Sequence, residues 1–148
     1  MILRPEDIAY FEKGGKENQE FWSVFGSPPA VKGSRVLDLG CGHGRLCVDL
    51  ALQGAKPVIG LDINPELVDF AAQNVEENFS DLKRSLEFHC LDIHDLPDDG
   101  RGFDLIVSKN TFEHVIQLEA VFREMVRRLK PRGRMYLGFG PLYHSSRG

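Results

Sequence analysis

Short apolar runs alternate with longer segments of helical period over most of the chain. The runs are rich in branched residues, which favours strands that are buried on both faces. Five of them are candidate strands: Arg35–Leu39, Val58–Asp62, Leu86–Cys90, Asp104–Ser108 and Arg134–Phe139. Because strands that alternate with helices form βα units, the pattern predicts an α/β fold with a mostly parallel sheet.

Two of the intervening helices carry their own signals. Asn64 followed by Pro65 is typical of a helix start, and the next apolar positions fall on one face: Leu67, Phe70, Ala71 and Val75. A later helix is predicted from apolar positions at three- and four-residue spacing: Leu118, Val121, Phe122, Met125 and Leu129. Pro131 and Gly133 are expected to end this helix.

The segment before Arg35 has a different composition. Aromatic residues stand there among charged ones, and Ser27-Pro28-Pro29 predicts a loop before the sheet begins. We interpret residues 1–34 as one or two helices that flank a core formed by residues 35–148. A chain of 148 residues with 42% hydrophobic residues is expected to form one domain.

Charge and cysteine content exclude several classes of protein. A net charge of −4 gives no broad attraction for nucleic acid, and no apolar run approaches the ~20 residues of a membrane span. No secretion signal opens the sequence. Cys41, Cys47 and Cys90 lie in apolar stretches without metal-ligand spacing, so we expect buried, reduced thiols in a cytoplasmic protein and no metal site.

The stretch VLDLGCGHGRL, residues 36–46, places Gly40, Gly42 and Gly44 directly after the first candidate strand. Glycines at a strand-to-helix turn let the backbone approach a ligand, because a Cβ would fill that space or forbid positive φ. A tight turn without a ligand is the alternative that this stretch alone leaves open.

A carboxylate follows the next strand. Asp62 lies 18 residues after Gly44, where a carboxylate can accept hydrogen bonds from the two hydroxyls of a ribose. The alternative is that Asp62 is an N-terminal partner of the helix that begins at Asn64, where the helix dipole favours negative charge.

The loop differs from a dinucleotide-binding loop, since Arg45 stands where that loop has its third glycine. Asp38 before the loop and Asp92 after the third strand suit a ligand with an ammonium group and an adenine amino group. S-adenosylmethionine has both.

Four segments, in this order, resemble the successive motifs of class I S-adenosylmethionine-dependent methyltransferases: 36–44 (VLDLGCGHG), 60–63 (GLDI), 91–97 (LDIHDLP) and 103–115 (FDLIVSKNTFEHV). The resemblance is to the small-molecule, type 11/25-like branch. It implies a Rossmann-like, doubly wound sheet in a three-layer α/β/α arrangement.

The resemblance also implies roles for individual residues. Asp38, Gly40, Cys41 and Gly42 would hold the methionine end of the cofactor, and Asp62 would hold the ribose.

At the adenine end, Ile63 would lie against the ring, Asp92 would accept from its amino group, and the backbone and side chain of Ile93 would cover its other side. Asn110 would lie near the transferable methyl group, with Ser108 and Lys109 on the approach.

The implied reaction is an in-line displacement in which an acceptor atom attacks the methyl group and S-adenosylhomocysteine leaves. Alignment is then the main task of the protein, and a base is needed only if the acceptor carries a proton. His114 is the candidate base because it follows the fourth strand and imidazole titrates near neutral pH. The alternative is that His114 packs at the start of a helix.

Other histidines and cations receive ordinary interpretations. A backbone contact suffices for His43 in the loop, and His89 and His94 are expected to be structural or exposed. A basic cluster near the end of the chain is consistent with a phosphate-bearing substrate, but we prefer a solvated helix face: Arg123, Arg127, Arg128, Lys130, Arg132 and Arg134.

The resembled family has two further strands that form an antiparallel hairpin, yet only residues 140–148 follow the fifth candidate strand. We therefore expect this chain to lack the hairpin and to be the N-terminal part of a longer protein. The exposed edge of its sheet then favours self-association or is covered by sequence outside this chain. Besides a methyltransferase with a small-molecule acceptor, two alternatives stay open: a non-catalytic S-adenosylmethionine-binding or scaffold module, and an NAD(P)-dependent oxidoreductase.

Overall fold

A five-stranded sheet with helices on both faces organises the computed structural model, which describes residues 2–109 and 117–138. The strands are β1 (Val36–Leu39), β2 (Val58–Leu61), β3 (Leu86–His89), β4 (Phe103–Ser108) and β5 (Leu129–Leu137). Their order is β3-β2-β1-β4-β5, and every neighbouring pair is parallel. The predicted Rossmann-like α/β fold is confirmed.

Four α-helices complete the layers: α1 (Pro5–Ser23), α2 (Arg45–Leu52), α3 (Pro65–Asn78) and α4 (Leu118–Arg128). Two short 3₁₀ helices cover 80–85 and 93–95. Among the described segments, no helix is both long and apolar enough to cross a bilayer.

Alternate residues of the strands feed two separate apolar clusters. Val36 and Val107 face a cluster that includes buried residues of α1, α2 and α3, whereas Leu37 and Ile106 face a cluster that includes Met125 of α4. Burial on both faces explains why the strands read as continuous apolar runs.

The N-terminal flank is a single helix in the structure. Pro5 stands in the first turn of α1, where its missing N–H costs no hydrogen bond. Phe11 and Trp22 are buried, and the Trp22 ring packs edge-on against Tyr136 of β5 at 5.3 Å between centroids. Trp22 therefore packs α1 against the sheet.

Helix α3 begins as the sequence predicts. The side chain of Asn64 accepts a hydrogen bond from the backbone N–H of Glu66 at 3.0 Å. Phe70, Ala71 and Val75 are buried as expected, whereas Leu67 is only partly buried.

The predicted boundary between the last helix and the last strand is wrong. Helix α4 ends at Arg128 and β5 starts at Leu129, so Pro131 and Gly133 lie within the strand. The β4–β5 register shifts between Phe103 and Leu105, and proline is tolerated at such an irregularity. Glycine is required at 133, because a Cβ there would lie 2.8 Å from the Phe103 carbonyl oxygen.

Two further expectations need correction. Cys41 and Cys47 are buried, but Cys90 is exposed because it follows the end of β3. In the basic cluster, Arg128 is not solvated: it is 5% exposed, and its guanidinium donates to the Leu96 carbonyl oxygen at 2.6 Å. Arg127 fits the predicted solvated face and is paired with Asp98 at 2.7 Å.

Candidate functional site

Predicted site residues gather at the carboxyl ends of the strands. Asp38 lies within β1, Asp62 directly follows β2, and Lys109 directly follows β4. The strands β2 and β3 lie on one side of β1, and β4 and β5 lie on the other, so the strand order reverses at β1. Open α/β sheets bind ligands in the crevice outside such a point.

The glycine loop between β1 and α2 is pinned to the end of β2. The backbone N–H groups of Gly40 and Cys41 both donate to the Leu61 carbonyl oxygen at 2.8 Å. Gly40, Gly42 and Gly44 have φ values of 78°, 54° and 87°, a region that side chains other than glycine rarely adopt. The predicted positive φ is confirmed at all three positions.

The space around these glycines differs from one to the next. A Cβ at Gly42 would meet no described atom within 4 Å, so the space beside it is open. A Cβ at Gly44 would lie 3.0 Å from the Cβ of Ala71 and 3.1 Å from the Phe88 ring. Gly42 therefore leaves room for a ligand, whereas Gly44 lets α3 and β3 pack against the loop.

Asp38 is buried beneath the loop. It accepts a hydrogen bond from the Cys47 thiol at 3.3 Å, and burial raises the pKa of the Asp38 carboxyl to about 6. A hydrogen bond with Cys41, together with burial, holds the pKa of the Cys47 thiol well above its usual range, so the thiol stays a donor. A buried carboxylate with one weak donor is suited to receive a cationic group.

Sequence reasoning missed the glycine that makes room for these thiols. A Cβ at Gly60 of β2 would lie 3.0 Å from the Sγ atoms of both Cys41 and Cys47. A glycine inside an otherwise apolar strand is the signal that indicates such a close approach.

Asp62 joins the loop to the next helix. One carboxylate oxygen accepts from the N–H of Gly42 at 2.9 Å, and the other accepts from the N–H of Asn64 at 2.9 Å. The alternative role at the start of α3 is therefore present in the geometry. Each oxygen retains a lone pair, so the same carboxylate can also accept from two hydroxyls.

The residues predicted for an adenine ring lie at the open side of the site. Ile63 is 76% exposed. Asp92 accepts from the backbone N–H and the ring Nδ1 of His94, at 2.9 and 2.6 Å, and the backbone hydrogen bond lowers the pKa of the Asp92 carboxyl. The Ile93 side chain is 1% exposed and packs in the apolar cluster on the α4 face. The predicted contact with that side chain is unavailable in this structure, which leaves the Ile93 backbone.

A polar network that the sequence analysis did not anticipate lies behind the loop. Lys109 donates to the side-chain oxygen of Asn18 at 2.7 Å, and the Asn18 amide nitrogen donates to Asp49 at 2.8 Å. Asn18 is 3% exposed. Its position on the helical face that carries Phe11 and Trp22 was the available signal, since a polar residue on a buried face needs a partner.

The N-terminal end of α1 covers the loop. The ring of His43 stacks on Tyr10 at 4.5 Å, and its Nε2 lies 3.0 Å from an oxygen of Asp7. The sequence predicted no more than a backbone contact at His43, and these side-chain contacts could not be inferred from the motif.

Several predicted residues cannot be placed or have local partners. Asn110 and His114 lie outside the described residues. His89 contacts Glu87 at 3.2 Å. In the part of the chain that the structure describes, no three His, Cys, Asp or Glu side chains are grouped as for a metal ion.

Comparisons with known proteins agree with this geometry. Residues 30–138 match a family model described as a methyltransferase domain. The chain is 33% identical over 106 residues to a ubiquinone biosynthesis O-methyltransferase from Coxiella burnetii, covering 72% of this chain and 43% of that protein. It is 38% identical over 105 residues to a ribosomal protein L11 methyltransferase from Burkholderia lata, covering 71% of this chain and 31% of that protein.

A solved structure is also similar. An S-adenosylmethionine-dependent methyltransferase from Mesorhizobium loti superposes with a TM-score of 0.62 at 29% identity, covering 73% of this chain and 47% of that one. The chain spans less than half the length of each of these three proteins.

Proposed function

Because the chain belongs to the family of methyltransferase domains, we propose that the protein containing it transfers a methyl group from S-adenosylmethionine to an acceptor. One observation carries the proposal. The loop that presents open space at Gly42 is bonded to Asp62 on one side and lies above the buried Asp38 on the other. The loop is therefore flanked by two carboxylates: Asp38 is suited to a cation and Asp62 to vicinal hydroxyls.

The residues present fit this cofactor. Asp38 would bind the ammonium group, and Asp62 would accept hydrogen bonds from the ribose hydroxyls. The loop residues Gly40, Cys41 and Gly42 would contact the methionine end. The loop needs no rearrangement for this, because Leu61 and Asp62 already hold it.

The adenine ring would lie on the exposed face of Ile63, with its amino group directed to Asp92. The Ile93 backbone remains part of this proposal.

When bound, the cofactor supplies an activated methyl group. The chain then has to align the acceptor with it and to keep water away. We assign Asn110 to the surroundings of the methyl group and His114 to the removal of a proton from the acceptor, since both follow β4 in the sequence.

A small molecule is the acceptor that we favour. The segment 108–111, which begins with the last residue of β4, reads Ser-Lys-Asn-Thr and lacks the Asn/Asp-Pro-Pro-Tyr/Phe sequence of methyltransferases that modify bases or glutamine. The two relatives differ on this point, because one name refers to ubiquinone biosynthesis and the other to a ribosomal protein.

Three further calls are parts of the proposal. The net charge of −4 disfavours nucleic acid as a partner. We also propose a cytoplasmic location, and self-association of the protein through the exposed β5 edge of the sheet.

Isothermal titration calorimetry with S-adenosylhomocysteine tests the proposal, with NADH as the control ligand. We expect micromolar binding of S-adenosylhomocysteine and none of NADH. The reverse result would instead support an oxidoreductase. Methyl transfer from a labelled donor to a panel of small-molecule hydroxyl and amine acceptors then separates an enzyme from a binding module that holds the cofactor without transferring its methyl group.

A further inference from the structure

Lys109 directly follows β4, and its side chain contacts α1. Leu105 and Val107 face the cluster shared with α1 and α2, and strand alternation directs Lys109 to the same side. Its ammonium group donates to Asn18 at 2.7 Å. An ammonium has three N–H bonds, and the described residues provide a hydrogen-bond acceptor for one of them. Among the described residues Asn18 is the acceptor of this group, which can also donate to a ligand.

The partner of Lys109 is itself held in one orientation. The Asn18 amide nitrogen donates to one oxygen of Asp49, and the other oxygen accepts from Arg45 at 2.9 Å. Arg45 also donates to the carbonyl oxygens of Phe11 and Glu12 in α1, at 3.1 Å each. These bonds turn the Asn18 oxygen toward Lys109, so α1 and α2 together position the ammonium group.

Lys109 and Asp38 place opposite charges on neighbouring strands. Asp38 is paired in register with Val107, so Lys109 lies two residues farther toward the carboxyl end, next to the glycine loop. Asp38 accepts from Cys47 and Lys109 donates to Asn18, so these two described side chains do not pair with each other. An α-amino acid carries an ammonium and a carboxylate on one carbon. A site that binds both groups needs an anion for the first and a cation for the second, as Asp38 and Lys109 provide.

Neighbouring charges favour a cation at this position. Burial lowers the pKa of the Lys109 ammonium, and four acidic groups oppose that effect: Glu17, Asp38, Asp49 and Glu20. They lie on α1, β1 and α2, the elements packed around it. A carboxylate bound to Lys109 would further oppose the lowering of its pKa by burial.

We propose that Lys109 binds the carboxylate of the methionine end of the cofactor, and that Asn18 holds the ammonium group in position for this contact. The inference rests on the proposed function. It assigns Lys109 a direct role in binding and Asn18 a positioning role, and it makes α1 part of the cofactor site.

A pair of ligands that differ by one group tests the assignment. Titration calorimetry compares S-adenosylhomocysteine with its decarboxylated analogue, which keeps the amine, ribose and adenine. In Lys109→Met we expect a roughly ten- to hundredfold loss of affinity for S-adenosylhomocysteine, the size of a lost charge-assisted hydrogen bond, and less than a twofold change for the analogue. Lys109→Arg should retain most of the affinity. Lys16→Met, on the exposed face of α1, is the matched control and should bind both ligands as the wild type does.

The positioning role has its own measurement. Asn18→Ala should weaken binding of S-adenosylhomocysteine more than binding of the analogue, by a smaller ratio than Lys109→Met. Equal losses for both ligands in Asn18→Ala would assign Asn18 to the stability of α1 alone.

Other results would overturn the inference. Equal weakening of both ligands in Lys109→Met would mean that Lys109 supports the loop, and unchanged affinity for both would remove it from the site. If the variants do not fold, acetylation of the wild type with an N-hydroxysuccinimide ester gives the answer by mass spectrometry: S-adenosylhomocysteine should protect Lys109 and the decarboxylated analogue should not. A wild type that binds neither ligand would refute the proposed function itself, and the inference with it.

Discussion

The two halves of the candidate site hold their carboxylates in different ways. In the half enclosed by α1, Asp38 is buried, and among the described residues its carboxylate accepts from a thiol at 3.3 Å. In the open half, Asp62 accepts from two backbone N–H groups and Asp92 accepts from the backbone and the ring of His94. Burial raises the pKa of Asp38, and hydrogen bonds lower the pKa of Asp92.

This difference separates two contributions to binding. A buried carboxylate without a strong donor destabilises the fold near neutral pH, and a cationic ligand removes that cost. Carboxylates that already accept from the backbone are oriented before a ligand arrives, and they contribute hydrogen bonds with little effect on stability. We therefore expect changes in the enclosed half to alter stability and pH dependence, and changes in the open half to alter mainly affinity.

Asp62→Ala should have the largest effect, because Asp62 accepts from the N–H of Gly42 and, in the proposed site, would also bind the ribose. We expect the affinity for S-adenosylhomocysteine to fall by about 2–4 kcal/mol, as two charge-assisted hydrogen bonds are lost. Calorimetry gives the value. Asp69→Ala, an exposed carboxylate on α3, is the matched control. Unchanged affinity in Asp62→Ala would refute the ribose assignment and leave Asp62 a purely structural role.

The glycine loop allows stability and binding to be separated. Gly44→Ala should lower the free energy of unfolding by about 2–3 kcal/mol, because the new Cβ meets Ala71 and Phe88 at a positive φ. Gly42→Ala should cost about 1 kcal/mol of stability, from positive φ alone, and should weaken S-adenosylhomocysteine binding. Urea unfolding and calorimetry on both variants give the comparison. Equal stability losses would contradict the packing role of Gly44.

Asp38→Asn should stabilise the protein without ligand. The native pKa of about 6 lies above the usual 3.8, so the wild-type carboxyl contributes a destabilisation that is absent near pH 4 and complete above pH 6. Its upper limit is about 3 kcal/mol, and we expect the variant to gain about 1–2 kcal/mol at pH 7.5. Urea unfolding from pH 4 to 8 should show the gain growing with pH.

The same variant should bind S-adenosylhomocysteine more weakly, since the ammonium loses its charged partner. A gain in stability that does not depend on pH would contradict the assignment of the buried charge.

Asp92→Ala should have the smallest effect of the four. Asp92 is half exposed and would contribute one hydrogen bond to the adenine amino group, so we expect an affinity loss of about 0.5–1 kcal/mol. Loss of the bond to the His94 N–H should lower the free energy of unfolding by no more than about 1 kcal/mol. Asp95→Ala, at the nearby exposed position, is the control. A loss as large as that of Asp62→Ala would abolish the contrast between the two halves.

The sequence predicted the framework well, for a physical reason. Strands buried on both faces must be apolar throughout, and helices packed on one face must repeat every three or four residues, so β1, β2 and α3 are visible as patterns. The glycine loop and Asp62 were visible because positive φ and strand ends restrict the residue types.

What the sequence did not reveal depends on contacts between distant segments. The boundary of α4 was misplaced because Pro131 and Gly133, which usually end helices, here fit an irregular register beside Phe103. Burial of Ile93 and Arg128 follows from how the α4 face of the sheet packs, which local periodicity does not encode. The bond between Asn18 and Lys109 has no local signature at either end.

That bond also relates the site to protein synthesis. Asn18 and Lys109 are 91 residues apart in the chain. At about 5–20 residues per second, the ribosome adds Lys109 roughly 5–20 s after Asn18. During this interval α1 is made but lacks both Lys109 and the ring of Tyr136, so Trp22 is without its partner on β5. The nascent chain can therefore form the bond between Asn18 and Lys109 only after β4 has been made and has docked.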